Sequence, residues 1–549
     1  MDRPSQADLI AAGNGSLRDG EWTAAREQFQ HAVELGESAA ALEGLSTAAW
    51  WLNQIDDAIG YRQRAFTLHQ REGRPGPAAF CAVWIGAQYF AVHANMAAAE
   101  GWITVGQKLL TEAGPCREMA RLMVMQTAIS SDSKATIQIC REAGEMAPAL
   151  GDRDCEVLAG AYMGLARVSM GEIHEGIADI DAAMALCTAG EVADLWIVGL
   201  IYCAMLSGCE RAADFARADQ WCSVGGFVDR YRESVFSASC RACYGAIHAA
   251  RGRWEAAERE LLGALRTFEE GPRNQRIDAL SRLAALRVRQ GRPAEAARLL
   301  EGYEDHPDAS LAMAGLELGE GHARQAVALL ERRLASLGEP NIQSAPVLSI
   351  LVDALLVAGK TARARAASDR LGALASRAAG RYLPGLAALA AGLVTAAEGR
   401  DPIPELESAL DHLTHAEMPL EAGVARLAIA RALEAQDPDL AANEAQRALF
   451  IFEHLGAVPQ ADAASALLHS LGGPSRTGPK GRLPLSRRES QVLELLRLGL
   501  SNDELAARLF ISRRTVEHHV SSILAKLELK SRAEASAYAV RHGNEGGIR

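Results

Sequence analysis

Glycine recurs along much of this chain at the spacing of a helical hairpin. Five turn glycines follow one another at intervals of 39, 30, 38 and 40 residues: Gly252, Gly291, Gly321, Gly359 and Gly399. An amphipathic stretch with an early alanine follows such glycines, as in RGRWEAAERELLGA from Arg251 and DGEWTAAREQFQHA from Asp19. Glycine permits the tight turn that joins two helices. The pattern therefore predicts a chain of repeated helical hairpins.

One hairpin cannot bury its apolar face alone, so neighbouring hairpins must stack into a continuous core. The small alanine lets the second helix of each hairpin approach the first closely. The spacing resembles that of tetratricopeptide repeats, whose period is about 34 residues, although the intervals here are irregular. We predict an all-α fold in which a TPR-like helical repeat solenoid covers residues 8–468. A non-repetitive helical bundle is the alternative.

Composition supports a helical protein without membrane spans. Aromatic residues make up 5% of the 549 residues and alanine is abundant, which favours helices over sheet. The start, MDRPSQADLIAAG, lacks the basic and apolar regions of a signal peptide. The longest apolar stretches are shorter than the roughly 20 residues that a bilayer requires. We expect a cytoplasmic chain with no membrane contact.

The repeat pattern ends at a segment rich in glycine and proline. GGPSRTGPKGRLP (472–484) holds four glycines and three prolines, and we predict a flexible linker over residues 469–482. The following module, predicted over residues 483–545, is basic. Residues 480–549 hold 13 Lys and Arg against 8 Asp and Glu, a net charge of +5, whereas the remainder carries −17. A basic module on an acidic body is typical of a nucleic-acid contact.

Four serines predict the starts of four short helices in this module. Ser486, Ser501 and Ser531 each precede a glutamate by three residues, which is the capping-box pattern. Ser512 caps the remaining helix without a glutamate. The predicted helices span residues 487–498, 502–508, 513–526 and 532–541, and three residues join the second to the third. This short connection predicts a helix-turn-helix.

The third helix has a regular apolar stripe, formed by Val516, Val520, Ile523 and Leu527. Residues at this spacing lie on one helix face, which must pack in the core. In a helix-turn-helix the second of the two helices enters the major groove of DNA. We therefore expect the opposite face of the third helix to meet base edges.

Residues 485–535 resemble the LuxR-type helix-turn-helix. The matching motifs are Leu485, Ser486, Arg488 and Glu489, then Gly499 to Ala506, Ser512 to Val520, and Lys526 to Ala535. The resemblance implies the DNA-binding domain of a bacterial transcription regulator, with double-stranded DNA as its partner. It also implies a homodimer formed through the fourth helix, from Arg532 to Arg541.

The resemblance assigns roles to seven residues. The positions that read bases correspond to Glu517, His518 and Ser521. Phosphate contacts, which position the helix without specifying sequence, are expected from Arg513, Arg514, Thr515 and Lys526. A metal at His518 and His519 is disfavoured because adjacent residues point about 100° apart on a helix. His519 is expected to pack beneath the turn or to contact phosphate.

The sequence has no complete ATP-binding motif and no catalytic constellation with a recognisable spacing. Gly359, Lys360 and Thr361 resemble the end of a phosphate-binding loop, but Ala354 replaces its first glycine, so ATP binding is not expected. We expect no enzymatic activity, no cofactor and no metal. The repeats are expected to bind a protein, a peptide or a small effector. The alternatives are a TPR-like scaffold with the C-terminal module as an accessory anchor, and a redox or metal sensor built on the cysteines between Cys187 and Cys243.

The substitution Glu517→Lys is expected to change the DNA sequence that the protein prefers. The family frequently has lysine at this position, whereas a carboxylate can accept a hydrogen bond from cytosine N4. Binding-site selection with the wild type and the variant should show a cytosine preference that the variant loses. An unchanged preferred sequence would contradict the assignment.

Overall fold

The structure is a computed structural model that describes two parts of the chain. The first part comprises residues 4–93, 95–127, 132–225, 237–270, 276–338, 341–377 and 380–472. The second comprises residues 492–493, 495–497, 500–509, 516, 519–520, 523–524, 529 and 531–542. Helices and turns account for the regular structure of these residues, and no strand occurs among them. The chain divides into two compact units, Met1–Ala464 and Ser465–Arg549.

The first unit is built from consecutive helices. Its first twelve are α1 (Gln6–Asp19), α2 (Trp22–Leu35), α3 (Ala39–Trp51), α4 (Ile55–Arg71), α5 (Pro75–Ala91), α6 (Met96–Ala113), α7 (Arg117–Thr127), α8 (Ser133–Met146), α9 (Arg153–Met170), α10 (Ile173–Thr188), α11 (Leu195–Ala212) and α12 (Phe215–Gly225). Two short 3-10 turns lie at Pro148–Leu150 and Pro307–Ala309.

Thirteen further helices continue the same pattern. They are α13 (Ser237–Ala250), α14 (Trp254–Glu270), α15 (Arg276–Arg289), α16 (Pro293–Leu299), α17 (Ser310–Gly319), α18 (Ala323–Leu337), α19 (Ser344–Val357), α20 (Thr361–Ala375), α21 (Tyr382–Ala397), α22 (Ile403–His415), α23 (Pro419–Leu433), α24 (Pro438–Leu455) and α25 (Val458–Ser470). Among the residues that the structure describes in the second unit, two uninterrupted helices follow, α26 (Asn502–Leu509) and α27 (Arg532–His542).

The turn glycines predicted from the sequence lie between paired helices and have left-handed backbone conformations. Their φ angles are +72° (Gly252), +72° (Gly291), +83° (Gly321), +68° (Gly359) and +71° (Gly399). A side chain is disfavoured in this region of φ, so glycine is the residue that turns the chain here at least cost. The second helix of each pair begins two to four residues later. The hairpin prediction is confirmed at these five turns.

The hairpins stack in two layers. Most consecutive helices pack against each other, and from α9 to α23 each odd-numbered helix also contacts the next odd-numbered helix. The odd-numbered helices from α9 to α23 therefore form one continuous layer, and helices between them pack against it. This arrangement confirms the all-α, TPR-like solenoid and excludes the non-repetitive bundle.

Some helix pairs approach so closely that glycine is required inside the helices. At the crossing of α9 and α10, a Cβ added to Gly164 would lie 2.6 Å from the Gly176 carbonyl oxygen and 2.9 Å from the Asp179 Cβ. A Cβ on Gly176 would lie 2.5 Å from the Gly164 carbonyl oxygen. Two glycines thus face each other where the two backbones meet.

The array also makes contacts between repeats that are distant in sequence. The Ile342 amide donates a hydrogen bond of 2.8 Å to the Ser169 carbonyl oxygen. The Arg251 guanidinium pairs with the Glu417 carboxylate, 166 positions further along the chain. A simple solenoid makes contacts between neighbouring repeats alone. Here, the middle of the array meets repeats that come much later.

One described helix, α11 (Leu195–Ala212), is long and apolar enough to cross a membrane by length and composition. However, 61% of that window is buried inside the structure. Its neighbours are α9, α10, α12 and α13, so its apolar surface packs in the core of the array.

The substitution Gly164→Ala is expected to destabilise the repeat array by about 1–3 kcal/mol, because overpacking forces closely packed backbones apart. Urea unfolding followed by tryptophan fluorescence measures this, since all eight tryptophans lie between Trp22 and Trp254. The unfolding midpoint should fall.

Gly160→Ala is the matched control for this substitution. Gly160 lies on the same helix, and an added Cβ there would have no neighbouring atom within 4 Å. Alanine is the better helix former by up to about 1 kcal/mol, so the control should match or exceed the wild-type stability. Equal midpoints for the two variants would contradict the close-approach explanation.

Candidate nucleic-acid interface

The second unit contains helical residues in all four segments predicted from the sequence. They are residues 492–493 and 495–496, the helix α26, residues 516, 519–520 and 523–524, and the helix α27. The predicted helix at 502–508 is one residue longer in the structure, and the helix at 532–541 is also one residue longer.

The start of α26 is fixed by the predicted capping box. The Ser501 amide and hydroxyl both donate to the Glu504 carboxylate at 2.7 Å, and the Glu504 amide donates to the Ser501 hydroxyl at 3.3 Å. These bonds satisfy amides that the helix itself leaves unpaired. The bonds from Ser501 also hold the pKa of Glu504 below its usual value.

At α27, the Glu534 amide donates to the Ser531 hydroxyl at 3.3 Å, which is one half of the capping box predicted at Ser531. Ser486 and Ser512, the two other predicted caps, lie outside the described residues.

An apolar core joins the segments of this unit. Val516 and Ile523 are fully buried and Val520 is 8% exposed, so the predicted stripe of the third helix faces inward. It packs with residues of the other three helical segments: Val492, Leu496, Leu505 and Ala535. The stripe prediction is confirmed for three of its four members, and Leu527 lies outside the described residues.

Arg532, at the start of α27, ties the fourth segment to the second. Its guanidinium donates to the Asn502 side-chain oxygen and to the Leu500 carbonyl oxygen. Farther along the same helix, the Ser536 hydroxyl donates to the Leu496 carbonyl oxygen at 2.7 Å. The family resemblance places Arg532 at the start of a helix through which two chains dimerise. The structure shows a different role for Arg532, because its hydrogen bonds join two segments of the same module. The family motif contains this arginine but does not indicate what it contacts.

The faces of α27 differ in exposure. Ala535 is buried in the core of the module and Ala539 is also buried, whereas the Glu534 side chain is exposed. Any partner of this helix must therefore bind a face other than that of the two alanines.

The predicted DNA-contacting residues lie outside the described residues. These are Glu517, His518 and Ser521 for bases, and Arg513, Arg514, Thr515 and Lys526 for phosphate. Their roles stay predictions. His519, next to Val520, is helical and partly buried, and its role, packing beneath the turn or contacting phosphate, stays a prediction.

Two groups in the first unit bring three possible metal ligands together. Glu43, His69 and Cys81 form one group, and Glu317, Glu320 and His322 form the other. In the first, the His69 ring contacts Glu43, and the Cys81 thiol donates to Glu43 at 3.6 Å. These hydrogen bonds already engage the carboxylate.

Comparison with known proteins identifies the second unit. Residues 483–539 match the family model described as GerE, bacterial regulatory proteins, luxR family. Over 64 residues the chain is 50% identical to "Uncharacterized transcriptional regulatory protein YhcZ" of Bacillus subtilis (strain 168), and the match covers 12% of this chain and 30% of that protein. "Transcriptional regulatory protein LnrK" of the same strain is 45% identical over 65 residues, again 12% of this chain and 30% of the relative.

The module thus has the class of a helix-turn-helix domain. In particular, residues 483–539 form a LuxR-family domain, as the motifs predicted. The chain matches less than a third of the length of these relatives.

The array has a weaker structural resemblance. One chain of "Crystal structure of APC/C hetero-tetramer Cut9-Hcn1" aligns with 85% of this chain and 96% of its own length, at 14% identity and a TM-score of 0.32. That score is too low to define a shared fold, so the repeat architecture rests on the stacking of α9 to α23.

The substitution Arg532→Ala is expected to destabilise the LuxR-type module by about 1.5–3 kcal/mol, because it removes charge-assisted hydrogen bonds to two partly buried acceptors. Hydrogen–deuterium exchange of the full-length protein measures this at residues 500–509 and 532–542, where exchange should become faster.

Arg508→Ala serves as the control. Arg508 lies on α26 and is exposed, and such surface changes usually alter stability by less than about 0.5 kcal/mol. Exchange that is equally slow in Arg532→Ala and in the wild type would contradict the proposed role of Arg532 in the module.

Proposed function

We propose that this protein is a sequence-specific, DNA-binding transcription regulator of the bacterial cytoplasm, with no enzymatic activity of its own. The observation that carries the proposal is the LuxR-family match of residues 483–539, whose apolar stripe packs in the core as a helix-turn-helix requires. The net charge of +5 over residues 480–549 favours approach to DNA. In this proposal the third helix reads the major groove, and two modules bind related half-sites as a dimer.

We further propose that the repeat array binds an effector and modulates DNA binding. A cavity of about 440 Å³ supports this, since it lies in the size range of small-molecule sites. Apolar side chains, among them Ile173, Phe215 and Tyr382, line it together with Arg217 and Arg251. The cavity lies where α10 and α12 meet the later repeats. A ligand there would touch both, so its binding could alter how they pack.

DNA binding is tested with the full-length protein and fragments of its own genome. We expect selection of a common sequence with two-fold-related halves, and an affinity that falls steeply as salt rises, because cations are released from phosphates. The mass of the complex should correspond to two chains per site. Binding without sequence preference would favour the scaffold alternative, in which the module is an accessory anchor.

Arg513→Ala tests the phosphate contacts. It should weaken binding to all sequences alike and reduce the slope of log affinity against log salt by about 1. Lys108→Ala is the matched control, because it removes the same charge from an exposed position on the repeat array. Equal salt slopes for the two variants would contradict the phosphate assignment.

Regulation by the array is tested by comparing operator affinity of the full chain with that of residues 465–549. This unit has its own apolar core. If the acidic array restrains the basic module, the isolated unit should bind more tightly. Equal affinities would count against restraint while leaving the DNA-binding proposal intact.

A further inference from the structure

Two cysteine sulfurs meet between α11 and α13, which are successive helices of the continuous layer. Cys203 lies on α11 and Cys240 on α13, and their sulfur atoms are 2.7 Å apart. A disulfide bond is about 2.05 Å long. The two atoms therefore need to approach by less than an ångström to bond, and α11 and α13 already pack against each other.

The two cysteines differ in their access to solvent. Cys203 is partly exposed, whereas Cys240 is fully buried. The contact with Cys203, together with burial, raises the pKa of the Cys240 thiol well above its ordinary value. Cys203 is thus the more exposed residue of the pair, and Cys240 is a protonated partner held beside it.

Two neighbouring cysteines on the same helices have other partners. The Cys209 sulfur lies 3.9 Å from the Met205 sulfur, and the Cys243 sulfur lies 3.8 Å from the Ser207 hydroxyl. Burial raises the pKa of Cys243 to about 12. Cys240 and Cys243 form the C-x-x-C motif of the sequence, but the hydrogen-bonded neighbour of Cys240 is Cys203 on the adjacent helix.

A metal site is less well supported by this cluster. Among the described residues, the groups of three potential ligands with metal spacing lie elsewhere, at Glu43 and at Glu317. The cysteine cluster contributes a close pair, which suits a two-electron bond between sulfurs better than a four-ligand zinc site.

We propose that Cys203 and Cys240 form a reversible disulfide when the protein meets a low-molecular-weight disulfide. The Cys203 thiol loses its proton, and its thiolate attacks one sulfur of the oxidant, which forms a mixed disulfide and releases one thiolate. Cys240 then loses its proton and attacks the Cys203 sulfur, which releases the second thiolate. The two protons pass to the two released thiolates. The protein dithiol is oxidised and the small disulfide is reduced to two thiols.

The new bond would join α11 to α13, and the proposal is independent of the DNA-binding proposal. It would link positions 203 and 240, which are 37 residues apart in sequence. Reduction by an excess of small thiol would break it again, so the modification can follow the thiol balance of the surroundings.

The test uses the reduced full-length protein, with oxidised glutathione as the probe. After quenching in acid, free thiols are alkylated and peptides are mapped by mass spectrometry. The reduced chain should carry ten alkylated cysteines, and the oxidised chain two fewer. The missing two should appear as a Cys203–Cys240 linked peptide that dithiothreitol removes.

Cysteine-to-alanine variants identify the two sulfur atoms that form the bond. Cys203→Ala and Cys240→Ala should each abolish the linked peptide, and Cys240→Ala should trap glutathione on Cys203. Cys209→Ala on α11 and Cys243→Ala on α13 are matched controls that should keep it. Circular dichroism verifies folding, and the wild-type peptide map decides the question even if a variant does not fold.

Three results would overturn the proposal. One is a wild-type chain that keeps ten alkylatable thiols after prolonged exposure to oxidised glutathione. Another is a predominant bond between other cysteines, such as Cys240 and Cys243. The third is stoichiometric zinc that protects Cys203 and Cys240 from alkylation and is released by a chelator.

Discussion

The repeat array depends on helices that come closer together than ordinary side chains allow. At the crossing of α9 and α10, Gly164 and Gly176 put two backbones in direct contact. In the first hairpins, the ring of Phe29 lies where a side chain on Gly13 or Gly44 would stand. Since these contacts are between backbones or between a backbone and a ring, the core is held by shape and by exclusion of water. The turn glycines are needed for a different reason, because they reverse the chain so that such faces can meet.

The sequence predicted the contacts within a repeat but not those between distant repeats. Glycine spacing and amphipathic stretches report on a helix and its neighbour, so the hairpins and the all-α class were predictable. Periodicity contains no information about which repeats meet after several turns of the array, so the bond between Ile342 and Ser169 was not. Buried ion pairs were missed for a similar reason. Arg241 and Glu260 are each 5% exposed and pair at 2.9 Å, although charged residues are expected on a solvated face.

In the C-terminal module too, local features were predictable from the sequence and contacts between distant segments were not. Its cap at Ser501 and its apolar stripe at Val516, Val520 and Ile523 follow local rules, and the structure has both. Arg532 was recognised as part of a motif, but its bonds to Leu500 and Asn502 join segments about 30 residues apart, which no local rule specifies. The base and phosphate assignments at residues 513–526 rest on the family resemblance and on no local rule of helix formation.

The contacts between distant repeats distinguish this array from an open solenoid. In an open solenoid each repeat contacts only its neighbours, so the curvature can change when a partner binds. The end repeats can also unfold without disturbing the middle. Contacts such as Ile342 with Ser169 and Arg251 with Glu417 join the middle of this array to repeats that come much later. The loss of one of those later repeats should therefore also remove contacts that the middle of the array makes.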